Sequence, residues 1–178
     1  WMQFQGFSLD FSFRVDALNS LFLLVITGVG SLIHIYSIGY MHEDESPGRF
    51  FAYLNLFCFA MLILVLGASL PVMFLGWEGV GLCSYLLIGY WYSDTEKAMA
   101  GMKAFVVNRI GDFGFILAAF WIFTQFGSLD FEVLRQAVAA KVGSTGFSPE
   151  ELTAITGMTL LLFLGCTGKS AQIPLYVW

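Results

Sequence analysis

Apolar residues fill five long stretches of the chain, and polar or charged residues fill the segments between them. A helix needs about 20 apolar residues to cross a hydrocarbon core of about 30 Å, and each stretch is long enough. The pattern therefore predicts an all-α polytopic membrane protein with about five transmembrane helices in a helical bundle. The stretches are Ala17–Met41, Phe50–Ser69, Leu70–Trp91, Met99–Phe126 and Leu152–Trp178.

The first part of the chain divides into an extramembrane segment and four helices. Residues 1–16 are predicted to lie outside the membrane, where the alternation of apolar and polar residues over Phe7–Phe13 indicates a short extended strand. Residues 17–126 are assigned to four transmembrane helices. Pro71 is the only strong break between the second and third stretches, so we expect a tight turn between two antiparallel neighbouring helices.

The longest connection, residues 127–151, is expected to lie at the membrane interface. Apolar residues recur at helical spacing over Leu129–Ala140, which indicates a short amphipathic helix. Ser148, followed by Pro149 and two acidic residues, is typical of a helix N-terminus. Residues 152–178 are then predicted to form the last transmembrane helix.

This last helix is predicted to be broken. Pro174 cannot donate a hydrogen bond to the carbonyl of Ser170, and Gly165 and Gly168 weaken the helix before it. Discontinuous helices with polar backbone at mid-membrane recur in ion-transporting folds. Lys169 lies deep in this stretch, which favours a functional lysine over one that snorkels to the interface.

The composition excludes several classes of protein. Hydrophobic residues make up 58 % of the chain and charged residues 12 %, against about 45–50 % and 25 % in soluble domains. So few polar groups cannot cover a soluble globule, and intrinsic disorder or binding of nucleic acid by a basic face is excluded for the same reason. The three cysteines show no paired spacing and are expected to be small buried hydrophobes. Because residue 1 is Trp and residue 178 directly follows an apolar stretch, we expect a fragment of a larger protein.

Five charged residues lie inside the apolar stretches, while the other sixteen lie in the connections. A charge at the bilayer centre costs about 2.5–3.5 kcal/mol on insertion scales and marks a functional site by default. Glu78 is eight residues into its stretch, about 12 Å deep at 1.5 Å per residue. Gly76, Gly79 and Gly81 around it would let a neighbouring helix or water approach its carboxylate. We therefore favour a functional carboxylate over a structural one.

The other internal ionisable residues are more ambiguous. Arg109 and Asp112 are three residues apart and can pair on one helix face, either to serve function or to make two charges tolerable. Lys103 is about one turn inside its helix, so snorkelling is favoured. His34 is either a hydrogen-bonded histidine near the interface or a member of a proton relay.

These residues together predict proton or cation transfer through a helical bundle. The five internal charges sum to +1, which favours pairing over a selectivity ring of one sign. The sequence has no P-loop, dinucleotide fingerprint, nucleophile elbow or metal-ligand cluster. A redox enzyme in its own right is disfavoured because the ligand spacings of haem and iron–sulfur proteins are absent from the sequence.

Three motifs hold the internal charges: residues 76–87 around Glu78, residues 103–112 with Arg109 and Asp112, and residues 168–174 with Lys169. They resemble, in this order, a glutamate-bearing helix, the next helix and a lysine-bearing broken helix of the antiporter-like, proton-translocating membrane subunits of respiratory complex I, the NADH:quinone oxidoreductase. Stretches at 14–18 and 49–53 are also similar. The resemblance extends over about residues 7–178 and is closest to the largest, distal subunit.

The resemblance implies a proton half-channel in a helical bundle, with a second bundle and a lateral helix outside this chain. It implies that Glu78 and Lys169 form an ion pair coupled to protonation, that Arg109 and Asp112 form a neighbouring pair, and that residues 42–49 face the cytoplasm or matrix. It also implies a bacterial plasma membrane or mitochondrial inner membrane. NAD, FMN, iron–sulfur clusters and quinone would belong to other parts of the complex, with no cofactor on this chain.

The partners implied are the other membrane subunits of complex I, especially the adjacent antiporter-like subunit, together with lipid and protons. A multisubunit Na+/H+ antiporter or a membrane-bound hydrogenase would share the same motifs and is the nearest alternative. A structural subunit, in which the internal charges only lock helices together, is an alternative of a different class.

Overall fold

Five helical spans are present in the computed structural model, which describes residues 2–4 and 7–178. A short hairpin of β1 (Met2–Phe4) and β2 (Phe7–Leu9) precedes them. The helices are α1 (Ala17–Leu24), a π-helical segment (Val25–Val29), α2 (Gly30–Tyr40), α3 (Pro47–Leu66), α4 (Leu70–Ile88), α5 (Thr95–Phe126), α6 (Phe131–Gly143) and α7 (Pro149–Lys169). The all-α polytopic membrane fold is confirmed, and the chain is an integral membrane protein.

The first span, Ala17–Tyr40, runs through α1, the π-helical segment and α2 without a break. The side chain of Asp16 accepts a hydrogen bond from the backbone of Asn19 and so caps its start. Inside the span, the Thr27 hydroxyl donates to the Leu23 carbonyl and the Ser31 hydroxyl to the Thr27 carbonyl. Such bonds satisfy these hydroxyls inside an apolar helix.

Helices α3, α5 and α7 begin three or four residues earlier than their apolar stretches. Pro47 stands in the first turn of α3, and Asp94 caps α5 by accepting from the Glu96 backbone. Ser148 and Glu151 form a capping box at the start of α7. The first turns of α5 and α7 are polar because their free N–H groups need acceptors, and α3 begins with Pro47, Gly48 and Arg49. Hydropathy alone therefore places these starts too late.

The chain forms two compact units, residues 1–93 and 94–178. In the first unit, α3 packs along α4 after the three-residue turn that Pro71 predicted. The predicted strand over residues 7–13 is shorter than expected, because pairing with β1 ends at Leu9. Farther along, Phe13 makes an isolated bridge to Gly67, in the turn between α3 and α4.

Glycine sets the distance between α3 and α4. A Cβ atom at Gly76 would lie 2.6 Å from the Leu64 Cα and 2.7 Å from the Ala60 carbonyl oxygen. A Cβ atom at Gly79 would lie 2.9 Å from the Cβ of Ala60. The two backbones are therefore in direct contact at this level, as small residues permit between membrane helices.

In the second unit, α5 packs along α7. The amphipathic helix α6 begins and ends two to three residues later than predicted, because Asp130 caps it by accepting from the Glu132 and Val133 backbones. Lys141 at the end of α6 pairs with Glu151 in the first turn of α7 at 2.9 Å.

Helix α7 ends at Lys169, five residues before Pro174, so the break lies earlier than the proline predicted. The Ser170 amide closes the last turn on the Cys166 carbonyl, and Ala171 then takes a left-handed conformation with φ of 49°. The Trp178 indole donates to the Gly168 carbonyl at 2.9 Å, which satisfies one of the carbonyls left open by the helix end.

The cysteines do not all follow the prediction that they are buried. Cys83 is buried and Cys58 partly so, but Cys166 is exposed. Its neighbours Gly165 and Thr167 are buried, and helical spacing turns Cys166 away from them. The expectation of a buried residue is therefore wrong for Cys166.

The α3–α4 contact makes Gly76 intolerant of substitution. Gly76→Ala is expected to destabilise the full-length protein by about 1–3 kcal/mol, because the new methyl group would overlap the α3 backbone. Gly39→Ala is the matched control, since nothing lies within 4 Å of the Cβ position there. Thermal unfolding midpoints in detergent would measure both variants, and equal midpoints would contradict the proposed contact.

Candidate functional site

A buried ion pair lies on α5 in the second unit. Asp112 is 2 % exposed, and its Oδ2 atom lies 3.4 Å from Nη1 of Arg109. The pairing predicted from their spacing is thus confirmed. The Arg109 guanidinium also lies over the Phe105 ring, with 4.4 Å from its central carbon to the ring centroid. The arginine is therefore held by one charge and one aromatic face.

Lys169 adds a third charge to this pair. It is the last residue of α7, is partly buried, and interacts electrostatically with both Asp112 and Arg109. Its place at the helix C-terminus puts the ammonium where the helix dipole favours a cation. We call Arg109, Asp112 and Lys169 the charged cluster; it carries two positive charges and one negative charge when all three are ionised.

Glycines bring the two helices of the charged cluster together. A Cβ atom at Gly111 would lie 3.2 Å from the Gly168 Cα and 3.2 Å from the Gly165 carbonyl oxygen. A Cβ atom at Gly114 would lie 2.9 Å from the Leu164 side chain. Asp112 is buried at this contact, and charges interact more strongly at the lower effective dielectric of a buried site.

Asn108 is a further residue of this interface that the sequence reasoning did not single out. It is 4 % exposed and lies one helical turn before Asp112, on the same face of α5. Its backbone oxygen lies 3.6 Å from the Cβ position at Gly168. The sequence does contain a signal that could have identified Asn108: it is a polar, uncharged residue four positions before the internal carboxylate of Asp112.

Glu78 lies on α4 in the first unit and is partly buried. The glycines that flank it, Gly76 and Gly79, do admit the neighbouring helix α3 at Ala60. Its predicted role as the partner of Lys169 in a proton-coupled ion pair stays a prediction.

His34 lies on α2, against α3, in the first unit. Its Nδ1 atom lies 2.7 Å from the Gly30 carbonyl oxygen, so this nitrogen carries the proton and donates. The ring borders an apolar cavity of about 160 Å³ that Cys58 also lines. The hydrogen bond agrees with the first of the two alternatives, a hydrogen-bonded histidine. Membership of a proton relay stays a prediction.

Lys103 is exposed on α5, six residues before Arg109. This exposure agrees with a lysine that snorkels from the first turns of a helix. Its contribution to proton transfer stays a prediction.

The sequence reasoning also did not identify a polar cluster at the ends of the membrane spans. Asp44 accepts hydrogen bonds from the Tyr90 hydroxyl at 2.8 Å and the Trp91 indole at 2.9 Å. The backbone N–H of Ser46, together with these two donors, holds the pKa of Asp44 below its usual value. The Arg49 guanidinium lies over the Tyr90 ring, 4.7 Å from its centroid. These contacts tie the loop before α3 to the end of α4.

Among the described residues, no group of three or more His, Cys, Asp or Glu side chains could hold a metal ion. The acidic and cationic side chains at the α5–α7 interface instead form a site suited to the transfer of protons or small cations between ionisable groups.

Comparisons with known proteins agree with this chemistry. Residues 67–178 match the family model described as NADH:quinone oxidoreductase/Mrp antiporter, TM. Residues 1–51 match the model of the N-terminus of chain 5 of NADH-ubiquinone oxidoreductase, complex I.

Curated relatives align with the whole chain. Subunit L of NADH-quinone oxidoreductase from Mycobacterium tuberculosis is 46 % identical over 178 residues, and subunit L from Escherichia coli is 44 % identical. Chain 5 of NADH-ubiquinone oxidoreductase from Triticum aestivum is 44 % identical. The chain spans 27 % to 28 % of the length of these relatives.

The buried carboxylate of Asp112 is expected to contribute far more to stability than an exposed one. Asp112→Asn would leave Arg109 and Lys169 without their shared carboxylate, at a cost near the low end of about 3–5 kcal/mol because Arg109 is 31 % exposed. The control is Glu132→Gln, which removes an exposed carboxylate three residues from Arg135 and is expected to cost under about 1 kcal/mol. Thermal unfolding of the full-length protein measures both, and a cost for Asp112→Asn no larger than that of the control would contradict the account.

Proposed function

Because the chain belongs to the transmembrane family of NADH:quinone oxidoreductase and Mrp antiporter proteins, we propose that it translocates protons across an energy-transducing membrane. It would do so as part of an NADH:quinone oxidoreductase, complex I. In this proposal, electron transfer from NADH to quinone occurs elsewhere in the complex. The chain then contributes to a proton-translocating translocase without redox chemistry or a cofactor of its own.

The observation that carries this proposal is the charged cluster between α5 and α7. Three ionisable side chains meet inside two helices that are long and apolar enough to cross a membrane. Placing such groups in a membrane is costly, and they usually mark an ion or proton pathway. The names of the relatives, all NADH-quinone or NADH-ubiquinone oxidoreductase subunits, support the proton-pumping version of this pathway.

Lys169 is the proton carrier in the proposed mechanism. A lysine can exist as an ammonium or as a neutral amine when its surroundings disfavour charge, whereas arginine stays charged. Arg109 therefore supplies a fixed positive charge, and Asp112 a negative charge that the two cations share. The proton that Lys169 releases would pass to the next ionisable group or water along the membrane.

Electrostatic coupling is large enough to drive this step. At an effective dielectric of 20, a unit charge 4 Å away contributes about 4 kcal/mol. That energy changes the ratio of charged to neutral lysine by about three orders of magnitude. A change of charge on a neighbouring group, with Glu78 the candidate we propose, would therefore suffice to load or unload Lys169.

The other membrane subunits of complex I are the partners we propose, especially the adjacent antiporter-like subunit. The bacterial plasma membrane or the mitochondrial inner membrane is the corresponding location. The relatives support both settings, since they come from bacteria and from a plant whose protein is named as chain 5.

Proton pumping by the assembled complex in sealed vesicles tests the role of Lys169. Lys169→Ala is expected to lower the number of protons moved per electron, because the exchangeable ammonium is lost. Lys169→Arg is expected to fail as well, because it keeps the charge but not the exchangeable proton. The matched control is Lys97→Ala, at an exposed lysine paired with Asp94 on the surface. Wild-type ratios in both Lys169 variants would refute the proposal.

The family description also covers the Mrp antiporter, so Na+/H+ exchange is the second candidate function. We expect proton movement that requires NADH and quinone and does not depend on sodium. Vesicles assayed with and without sodium, in the presence and absence of NADH, distinguish the two. Sodium-dependent proton movement without NADH would favour the antiporter.

A further inference from the structure

Asn108, the residue before Arg109 on α5, carries a buried amide oxygen. Its side-chain nitrogen donates to the Ala104 carbonyl at 2.7 Å, one turn back along α5. Its Oδ1 atom is buried and accepts no hydrogen bond from the described residues. A buried carbonyl oxygen without a donor is costly, so such an atom is usually there to bind something.

The orientation of this amide is fixed by its neighbour. If the side chain were rotated by 180°, Oδ1 would face the Ala104 carbonyl oxygen, and two acceptors would be in contact. The nitrogen therefore points back along α5, and the oxygen is the amide atom that has no donor among the described residues. Gly168, which precedes Lys169, lies beside the Asn108 backbone.

Within the second unit, the charged groups that act on Lys169 come from α5. In the second unit, α5 is the helix packed along α7, and it presents Arg109 and Asp112 to the lysine. The charged contact between α6 and α7 is Lys141 with Glu151, at the opposite end of α7, about 27 Å away along the helix. Arg109 and Lys169 both interact with Asp112, whose Oδ2 atom lies 3.4 Å from Nη1 of Arg109.

We propose that Asn108 is a positioning residue for proton transfer, an uncharged acceptor that binds the Lys169 ammonium directly or through one water molecule. This inference rests on the proposed function. A lysine ammonium has three donors on a flexible stem, so it can bond to Asp112 and to a second acceptor. The amide oxygen stabilises the ammonium without a second fixed negative charge.

Because Asn108 is uncharged, the protonation of Lys169 remains reversible. A second carboxylate beside Lys169 would attract the proton strongly and hold it. An apolar side chain would give the ammonium no hydrogen bond at this position and would favour release of its proton at a lower pH. An amide lies between these extremes, so the lysine can exchange its proton as neighbouring charges change.

The test follows the number of protons pumped per electron as a function of pH, in vesicles that contain the assembled complex. Asn108→Leu, close in size, is expected to lower the pH at which this ratio falls to half its maximum, by about one unit, as expected for one lost hydrogen bond to a charged group. Asn108→Asp is expected to raise that pH. Asn108→Ser keeps an oxygen acceptor in a smaller side chain and is expected to stay near wild type.

Shifts of opposite sign in the Leu and Asp variants support the inference, because a purely structural role would lower the ratio at every pH without moving the half-point. If one of the two fails to assemble, the other decides by the direction of its shift. An unchanged half-point in an assembled Leu or Asp variant overturns the inference. Lys169→Ala is measured in the same series. A wild-type ratio of protons to electrons in Lys169→Ala would show that the proposed function itself is wrong. If that ratio is lowered but the Asn108 variants show no shift, only the inference about Asn108 is wrong.

Discussion

The close contact between α5 and α7 is the constraint on which the candidate site depends. At Gly111 and Gly168 the two backbones come so close that an added Cβ atom would lie only 3.2 to 3.3 Å from the facing Cα atom. At this separation Lys169, on one helix, interacts electrostatically with an ion pair on the other. A similar glycine contact occurs in the first unit, where Gly76 lets α4 pack closely against α3 near Glu78. In both units, small residues thus accompany the ionisable group that the membrane would otherwise exclude.

The end of α7 gives Lys169 a different character from its neighbours. Arg109 and Asp112 lie inside a continuous helix of 32 residues, whereas Lys169 closes a helix whose last carbonyls are satisfied by other groups. One of these groups is the Trp178 indole, which holds the following segment against Gly168. The helix dipole stabilises a cation at the C-terminus but does not determine the position of its side chain. Lys169 therefore lies at the end of a helix, whereas Arg109 and Asp112 lie within a continuous one.

Much of the fold followed from the sequence because the membrane imposes a simple rule on length and polarity. The five spans and the Arg109–Asp112 pair were predictable, since both depend on spacing along one helix. The helix starts were placed too late because capping depends on single polar residues such as Asp94. The role of Asn108 could not be predicted, because an amide gives no charge signal and its importance arises from a contact between α5 and α7.

The central claim is that the charged cluster moves protons and does not merely lock helices together. Complete apolar replacement, Arg109→Met with Asp112→Leu and Lys169→Met, separates these two roles, because it removes all three charges of the cluster together. The measurement is the number of protons pumped per electron by the assembled complex, with thermal stability recorded in parallel. The account predicts a complex as stable as wild type, or more so, that pumps fewer protons. A stable complex with the wild-type ratio would contradict it.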